Sequence, residues 1–264
     1  MRSYQTLVEA AKTFAIDAAA LVNSNGKQHF AISSKSSSND MVTEVDKATE
    51  NYLVQRISKQ FPSHSIIAEE GANHSGTSGI SWVIDPIDGT TNFIYGFPSY
   101  SVSIGVRDND HPVAGAIYSI SEDALYWAGK GMGAYKGTSQ IRVRNQVPIT
   151  NSLIGTGFGY TAVRRVAQAR LLAQVIGEVR DIRRAGAASL DLCYVAEGRL
   201  DGYYESGLWP WDYTAASVIV KEAGGILLGP NDTEPSGELT VAASNPQLAA
   251  FLREKVLPYL PLPE

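Results

Sequence analysis

The sequence predicts a mixed fold in two halves, an α+β half over residues 1–147 and an α/β half over residues 148–264. Three features carry this. Between residues 65 and 143 short apolar runs follow one another with glycine-rich turns between them, as strands do. After Pro148 strand-like and helix-like stretches alternate, the pattern of α/β units. The length, 264 residues, corresponds to roughly two domains or one large one at ~150 residues each. With 44% hydrophobic and 19% charged residues, the chain can bury a sizeable core, and a disordered tail, a collagen and a coiled coil are excluded.

The elements follow in order. Leu7, Ala10, Ala11, Phe14, Ala15 and Ala18 recur at three- and four-residue spacings, one face of an opening helix. Residues 26–39 are polar and serine-rich without periodicity, a loop. That loop is either plain surface or a flap holding the cation Lys35. Thr43 and Asp46 open a second helix, which stops near Gln60 because Phe61 precedes Pro62 and avoids the helical region. Strands are expected at 65–68, 80–84, 101–107, 114–119 and 124–128, then near 134–136 and 141–143 after the glycine-rich turn at 129–133. The second half reads strand 153–156, helix 163–179, strand 181–183, helix 189–197, strand 202–205, helix 213–223 and strand 225–228. A strand at 239–243 and a helix at 246–257 close it.

The net charge is −5, from 27 acidic and 22 basic residues, which disfavours nucleic acid as a partner. The single cysteine, Cys193, excludes an internal disulfide framework and a cysteine-based zinc site. Cys193 lies in an apolar stretch and reads as core. His29, His64, His74 and His111 are scattered without metal-ligand spacing. The turn at 129–133 lacks the spacing of a phosphate-binding P-loop. Arg164-Arg165 and Arg183-Arg184 are too short for a nucleic-acid patch. Glu9, Lys12 and Asp17 interrupt what would be a signal peptide's apolar core, and no run approaches the ~18 apolar residues of a membrane span. A cytoplasmic protein without membrane contact is the expectation.

The strongest local signal runs from Trp82 to Phe93. An apolar strand ends and two carboxylates, Asp85 and Asp88, follow three residues apart. Pro86 fixes one backbone angle between them, Gly89 permits a tight turn, and Thr90-Thr91 can begin a helix. Free N–H groups at a helix start bind phosphate, and paired carboxylates bind hard cations such as Mg²⁺. One loop could hold both, or it could be a capped turn with solvated acids. Glu69-Glu70 follow the apolar run Ile66-Ile67-Ala68, Asp212 stands where a helix N-cap belongs, and Asp46 is a first-turn acid. Each has an ordinary structural explanation singly. Together, carboxylates recur where elements end, and loop-borne sites gather there.

These segments together resemble the inositol monophosphatase family of metal-dependent phosphatases. The run from Asp85 to Phe93 is similar to its first signature. Trp211-Asp212, Ala215-Ala216-Ser217 and Glu222-Ala223-Gly224-Gly225 are similar to its second. Lys35, the stretch from Asp40 to Asp46, and Glu69-Glu70 stand in the expected order upstream, and the likeness covers about residues 5–255. It implies a layered α-β-α-β-α sandwich of the inositol monophosphatase and fructose-1,6-bisphosphatase type, a homodimer, and an enzyme that needs Mg²⁺ and is inhibited by Li⁺.

Carried onto this chain, the resemblance assigns one metal to Glu69, Asp85 and the carbonyl of Ile87, and a second to Asp85, Asp88 and Asp212. A third, weaker one goes to Glu69 with waters, giving two or three Mg²⁺ per site. Glu70 lies beside the metal pocket. Substrate would meet Asp88, the N–H groups of Gly89 and Thr90, Asp212, the segment Gly186-Ala187-Ala188, and Glu205, which would bind its hydroxyls. Ala187 stands where many relatives carry Ser or Thr, which removes a hydroxyl contact. The implied reaction is hydrolysis of a small phosphate monoester, foremost inositol monophosphate, by in-line attack of a metal-activated water. Glu69 and Thr90 would orient or deprotonate that water, with Asp46 holding the Thr90 hydroxyl. Histidinol phosphate, fructose 1,6-bisphosphate, 3′-phosphoadenosine 5′-phosphate and NADP are alternative substrates for the same chemistry. A non-catalytic regulator bound to RNA or the transcription machinery is the alternative of another class, disfavoured by the acidic balance.

Overall fold

Phe14 packs on Trp82 with ring centroids 5.7 Å apart, and this contact seats the first helix on the first sheet. The computed structural model describes residues 4–25, 31–35 and 41–262. Helix α1 (Gln5–Asn25) buries Val8, Ala11, Phe14, Ala15, Ala18 and Val22, the expected face; its alanines let the backbone lie close to the strands. Helix α2 (Glu44–Gln60) joins it on the same face.

Beneath them runs a seven-stranded sheet in chain order: β3 (Ser65–Ala68), β4 (Ile80–Asp88), β5 (Ser101–Asp108), β6 (His111–Ser119), β7 (Ala124–Gly129), β8 (Gly133–Lys136) and β9 (Ser139–Gln140). Only β3 and β4 pair in parallel; the rest form an antiparallel meander, with the glycine turn at 129–133 joining β7 to β8. The short helix α3 (Thr90–Tyr95) follows β4.

The second sheet has the order β11-β10-β12-β14-β13. β10 (Leu153–Thr156) is parallel to β11 (Asp181–Arg183) and to β12 (Gly202–Glu205), while β14 (Thr240–Ala243) runs antiparallel to β12 and β13 (Ile226–Leu228). Helices α5 (Ala188–Glu197) and α6 (Pro210–Glu222) fill the middle layer, and α4 (Ala162–Val175) and α7 (Pro246–Val256) cover the outer face. The layers are therefore α-β-α-β-α, as the resemblance implies. Gly105 and Gly115 set the spacing of the middle layer. A Cβ at Gly115 would lie 2.2 Å from the Ala215 carbonyl oxygen, and one at Gly105 2.5 Å from Thr214 Cγ2. Any larger residue would push α6, and Asp212 with it, off the sheet.

Several expectations are corrected. Within the expected loop at 26–39, Ile32–Ser34 form a strand, β1, paired antiparallel with β2 (Met41–Thr43). Residues 26–30 and 36–40, including His29 and Asp40, lie outside the described residues, as does any flap motion there. The strand expected at 80–84 continues to Asp88, with a register shift between Asp85 and Asp88 where Pro86 cannot donate to the ladder. Residues 141–143 are not a strand. Ile141 and Val143 are buried, but their N–H groups donate to Ala134 O and Ala223 O, the latter at the end of α6. The helix expected to reach 179 ends at Val175, ahead of Gly177. α6 starts at Pro210, three residues earlier than expected, because proline suits a first helical turn. Among the described residues no helix is long and apolar enough to cross a membrane.

Candidate active site

The two acids of the first motif converge because the strand carrying them is bulged. Asp85 Oδ1 accepts the Ile87 N–H at 2.9 Å, which closes the turn over Pro86. Gly89 then adopts φ +87°, and a Cβ there would meet Ser99 O at 2.8 Å and Ala187 Cβ at 3.2 Å. Only glycine accommodates both the backbone angle and the space. Asn92 Nδ2 donates to Ser99 O at 2.6 Å and to Ala185 O at 2.8 Å, so α3 is tied to the segment leading into Gly186, Ala187 and Ala188.

Asp46 lies buried at the start of α2, held by a capping box with Thr43. Its Oδ2 accepts the Thr43 N–H at 2.9 Å and the Thr43 hydroxyl. Its Oδ1 faces Thr90, whose hydroxyl lies 3.2 Å away and also within 3.1 Å of Ile87 O. The sequence-predicted link between Asp46 and Thr90 is thus present across 44 positions.

Glu69 and Glu70 leave the end of β3 beside β4, where the Glu69 N–H donates to Ile84 O at 3.2 Å. Lys35 Nζ bridges them, 2.8 Å from Glu69 Oε1 and 2.6 Å from Glu70 Oε1. Sequence reasoning missed Glu50, which is buried and accepts the N–H groups of Glu70 at 2.7 Å and Ala72 at 2.9 Å. A glutamate mid-helix is ordinary in sequence, and only the fold brings this one under the Glu69-Glu70 turn.

The second half of the chain completes the site. Trp209, not Asp212, is the N-cap of α6; Asp212 sits in the first turn and its Oδ2 accepts the Trp209 N–H at 2.6 Å. The helix expected at 189 begins at Ala188, and Ser189, unassigned from sequence, donates its N–H (2.8 Å) and hydroxyl (2.5 Å) to Asp88 Oδ2. Its signal was a serine in a helix's first turn, beside a segment already singled out. Glu205 ends β12 and accepts the Tyr203 hydroxyl. Cys193 is fully buried, as expected of a core residue.

One carboxylate oxygen from each of Asp85, Asp88 and Asp212 lies within 4.8 Å of the others. Burial pushes Asp85 well above the usual carboxylate range, with the charges of Glu69 and Asp88 adding to it. Burial likewise lifts Asp212, with Asp88 next. Asp88 rises to about 6 through burial, against the two Ser189 hydrogen bonds that favour its ionised form. Glu70 and Glu205 both rise to about 7, chiefly through burial. Burial also raises Asp46, against its Thr43 hydrogen bonds. Burial by itself would lower Lys35, but Glu69 and Glu70 outweigh it and hold the ammonium charged. Such a group of enclosed oxygens, costly to ionise alone, matches the donor set of a hard divalent cation.

A model described as the inositol monophosphatase family matches residues 3–260. The inositol-1-monophosphatase SuhB of Mycobacterium tuberculosis (strain ATCC 25618 / H37Rv) is 40% identical over 262 residues, spanning 92% of this chain and 90% of its own length. The Nus factor SuhB of Pasteurella multocida is 41% identical over 229 residues, 85% of each chain. The crystal structure of the extragenic suppressor protein suhB from Bartonella henselae superposes with a TM-score of 0.89 at 30% identity, covering 95% of this chain and 98% of that one.

Proposed function

The chain belongs to the inositol monophosphatase family, and on that premise we propose that it is a Mg²⁺-dependent hydrolase of small phosphate monoesters, inositol monophosphate foremost. The observation that carries this reading is the convergence of Asp85, Asp88 and Asp212 beside the Gly89-Thr90 turn. Asp85, Asp88 and Asp212 would hold one Mg²⁺, and Glu69, Asp85 and the Ile87 carbonyl another, with a third, weaker ion at Glu69. Bound there, the metals supply the positive field a phosphate dianion needs, acidify water and stabilise the leaving oxygen.

The chain's own residues do the rest. The Gly89 and Thr90 N–H groups orient the phosphate. The Thr90 hydroxyl, whose hydrogen is directed at Asp46 and Ile87, leaves its lone pairs to accept a hydrogen bond from the attacking water, and it takes the water's proton only as it passes its own to Asp46 Oδ1. Asp46 has one oxygen saturated by Thr43 and keeps the other for Thr90, so it fixes the hydroxyl's direction. Glu69 lies on the same side and shares the task of orienting and deprotonating the water. Glu205, steadied by the Tyr203 hydroxyl, receives substrate hydroxyls, with Ala188 at the start of α5 beside the substrate in this reading. We place the division between the halves at Val147, with the ligands of the first motif before it and Asp212 after it. Exposed Tyr95, the last residue of α3, and Phe97 just beyond it support a homodimer. Li⁺ inhibition belongs to the same proposal. A net charge of −5 gives no support to an RNA-binding role.

The test is phosphate release from inositol 1-phosphate, histidinol phosphate, fructose 1,6-bisphosphate, 3′-phosphoadenosine 5′-phosphate and NADP across a Mg²⁺ titration. The highest kcat/KM is expected on inositol 1-phosphate, with no turnover in chelator. No release from any of the five sinks the reading.

A further inference from the structure

The parallel strands β10, β11 and β12 have two ends. Glu205 stands at the C-terminal end of β12, on the side of the candidate active site. At the opposite end, where the chain crosses from the first sheet to the second, lies an open cavity of about 370 Å³. It is lined by Arg144, Asn145, Gln146, Asn151 and Arg180, over an apolar floor of Val147, Pro148 and Leu153. Among the described residues no carboxylate lines it, although the protein as a whole carries a net charge of −5.

Arg144 is oriented by an ion pair and Arg180 by hydrogen bonds. Arg144 Nη1 lies 3.5 Å from Asp201 Oδ1, on a fully buried carboxylate whose other oxygen accepts the Leu153 N–H at 2.8 Å. The stem of Arg144 runs against Gly198, where a Cβ would come within 2.8 Å of its Cγ. Arg180 is fixed through its backbone N–H to Ser152 O and its Nε to Asn151 O at 3.2 Å. Among the described residues Arg180 has no acidic partner, and Arg144 has only Asp201, one of whose oxygens already accepts a backbone N–H. Two oriented guanidinium groups, three side-chain amides and a small apolar floor match a compact dianion on a short carbon frame.

We propose that this cavity is a second ligand site, separate from the hydrolytic centre, for a small organic dianion bearing a phosphoryl or a dicarboxylate group. Arg144 and Arg180 grip the charge, the amides of Asn145, Gln146 and Asn151 take the remaining oxygens, and Leu153 and Pro148 meet the carbon frame.

The experiment follows the arginine Nε–Hε resonances of the full-length, Mg²⁺-loaded protein during titration with methylphosphonate and, separately, with succinate. Saturable shifts of the Arg144 and Arg180 signals are expected. Arg180→Gln is expected to weaken binding about tenfold, the loss of one charge-assisted pair. Asp85→Asn, in the other site, is expected to leave the Kd within about twofold. Arg144→Gln strips the cation from buried Asp201 and can unfold the region, so Arg180→Gln, whose side chain is exposed, decides. Binding of methylphosphonate alone assigns a phosphoryl ligand, of succinate alone a dicarboxylate, and of both any small dianion. Shifts that never saturate with either probe, or that vanish in Asp85→Asn and persist in Arg180→Gln, overturn the proposal.

Discussion

Ser189 gives both its backbone N–H and its hydroxyl to one oxygen of Asp88, at 2.8 and 2.5 Å, across 101 positions of chain. The contact joins the end of β4 to the first turn of α5 within the candidate site. It also offsets part of the cost of ionising a buried carboxylate, since each donor favours the charged form.

Ser189→Ala removes the hydroxyl donor and keeps the N–H. A hydrogen bond to a charged group contributes about 1.5–3 kcal/mol, so kcat/KM for phosphate release is expected to fall about tenfold or more. The Mg²⁺ concentration for half-maximal rate is expected to rise with it. An unchanged Mg²⁺ titration would show that Asp88 does not depend on this support.

Thr90→Ala removes the hydroxyl aimed at Asp46. A positioned proton acceptor contributes about 10²–10⁴ in rate, so kcat is expected to drop by at least about a hundredfold with KM little changed. Thr90→Ser keeps the oxygen and is expected to retain most of the activity. Steady-state kinetics on both variants, with equal losses as the contrary outcome, separate chemistry from packing.

Lys35 is paired with Glu69, and in the proposed site it would compete with metal for that carboxylate. Lys35→Met removes that competitor and leaves Glu69 and Glu70 unpaired, so tighter Mg²⁺ binding is expected, by roughly threefold for a partly exposed ion pair. Calorimetric titration of Mg²⁺ reads this directly. Weaker binding in the variant would mean that Lys35 supports the metal site instead of opposing it.

Asp88 sits at about 6, and Asp85 and Asp212 lie well above the ordinary carboxylate range. These groups hold protons more tightly folded than unfolded. The stability they give the metal-free protein is full below the unfolded value of about 4 and is lost as pH climbs through about 6 and beyond. Metal reverses the loss only where the carboxylates are ionised. The gap in Tm between Mg²⁺-loaded and chelator-treated protein is therefore expected to be small near about pH 5 and several degrees wider near about pH 7.5. A gap independent of pH would contradict the shared burial of these acids.

Much of this site is legible in sequence because its geometry is local. Pro86, Gly89 and the Thr90 helix start each leave a mark within a few residues, and Thr43 with Asp46 is a self-contained cap. What is hidden depends on distance or on a neighbour's backbone. Ser189 reads as an ordinary first-turn serine until α5 meets β4. Glu50 reads as a helix-surface acid until the Glu69-Glu70 turn settles on it. Ile141 and Val143 alternate like a strand because both are buried, yet Val143 bonds to the end of a helix and not to a ladder. Asp212 shows the same limit in miniature. Its helix signal is correct, but Pro210 moves the start upstream and changes the aspartate from cap to first-turn residue.

Asp85 stands at the centre of the proposed chemistry, in which it would serve both principal metals. The most direct measurement is Mg²⁺-dependent phosphate release by Asp85→Asn, beside circular dichroism of the same sample. A native spectrum with turnover reduced by at least about a thousandfold is expected, because the proposed metals would lose a carboxylate ligand and with it the field on which the transition state would depend. A native spectrum with undiminished turnover would contradict the metal assignment and the hydrolytic reading built on it.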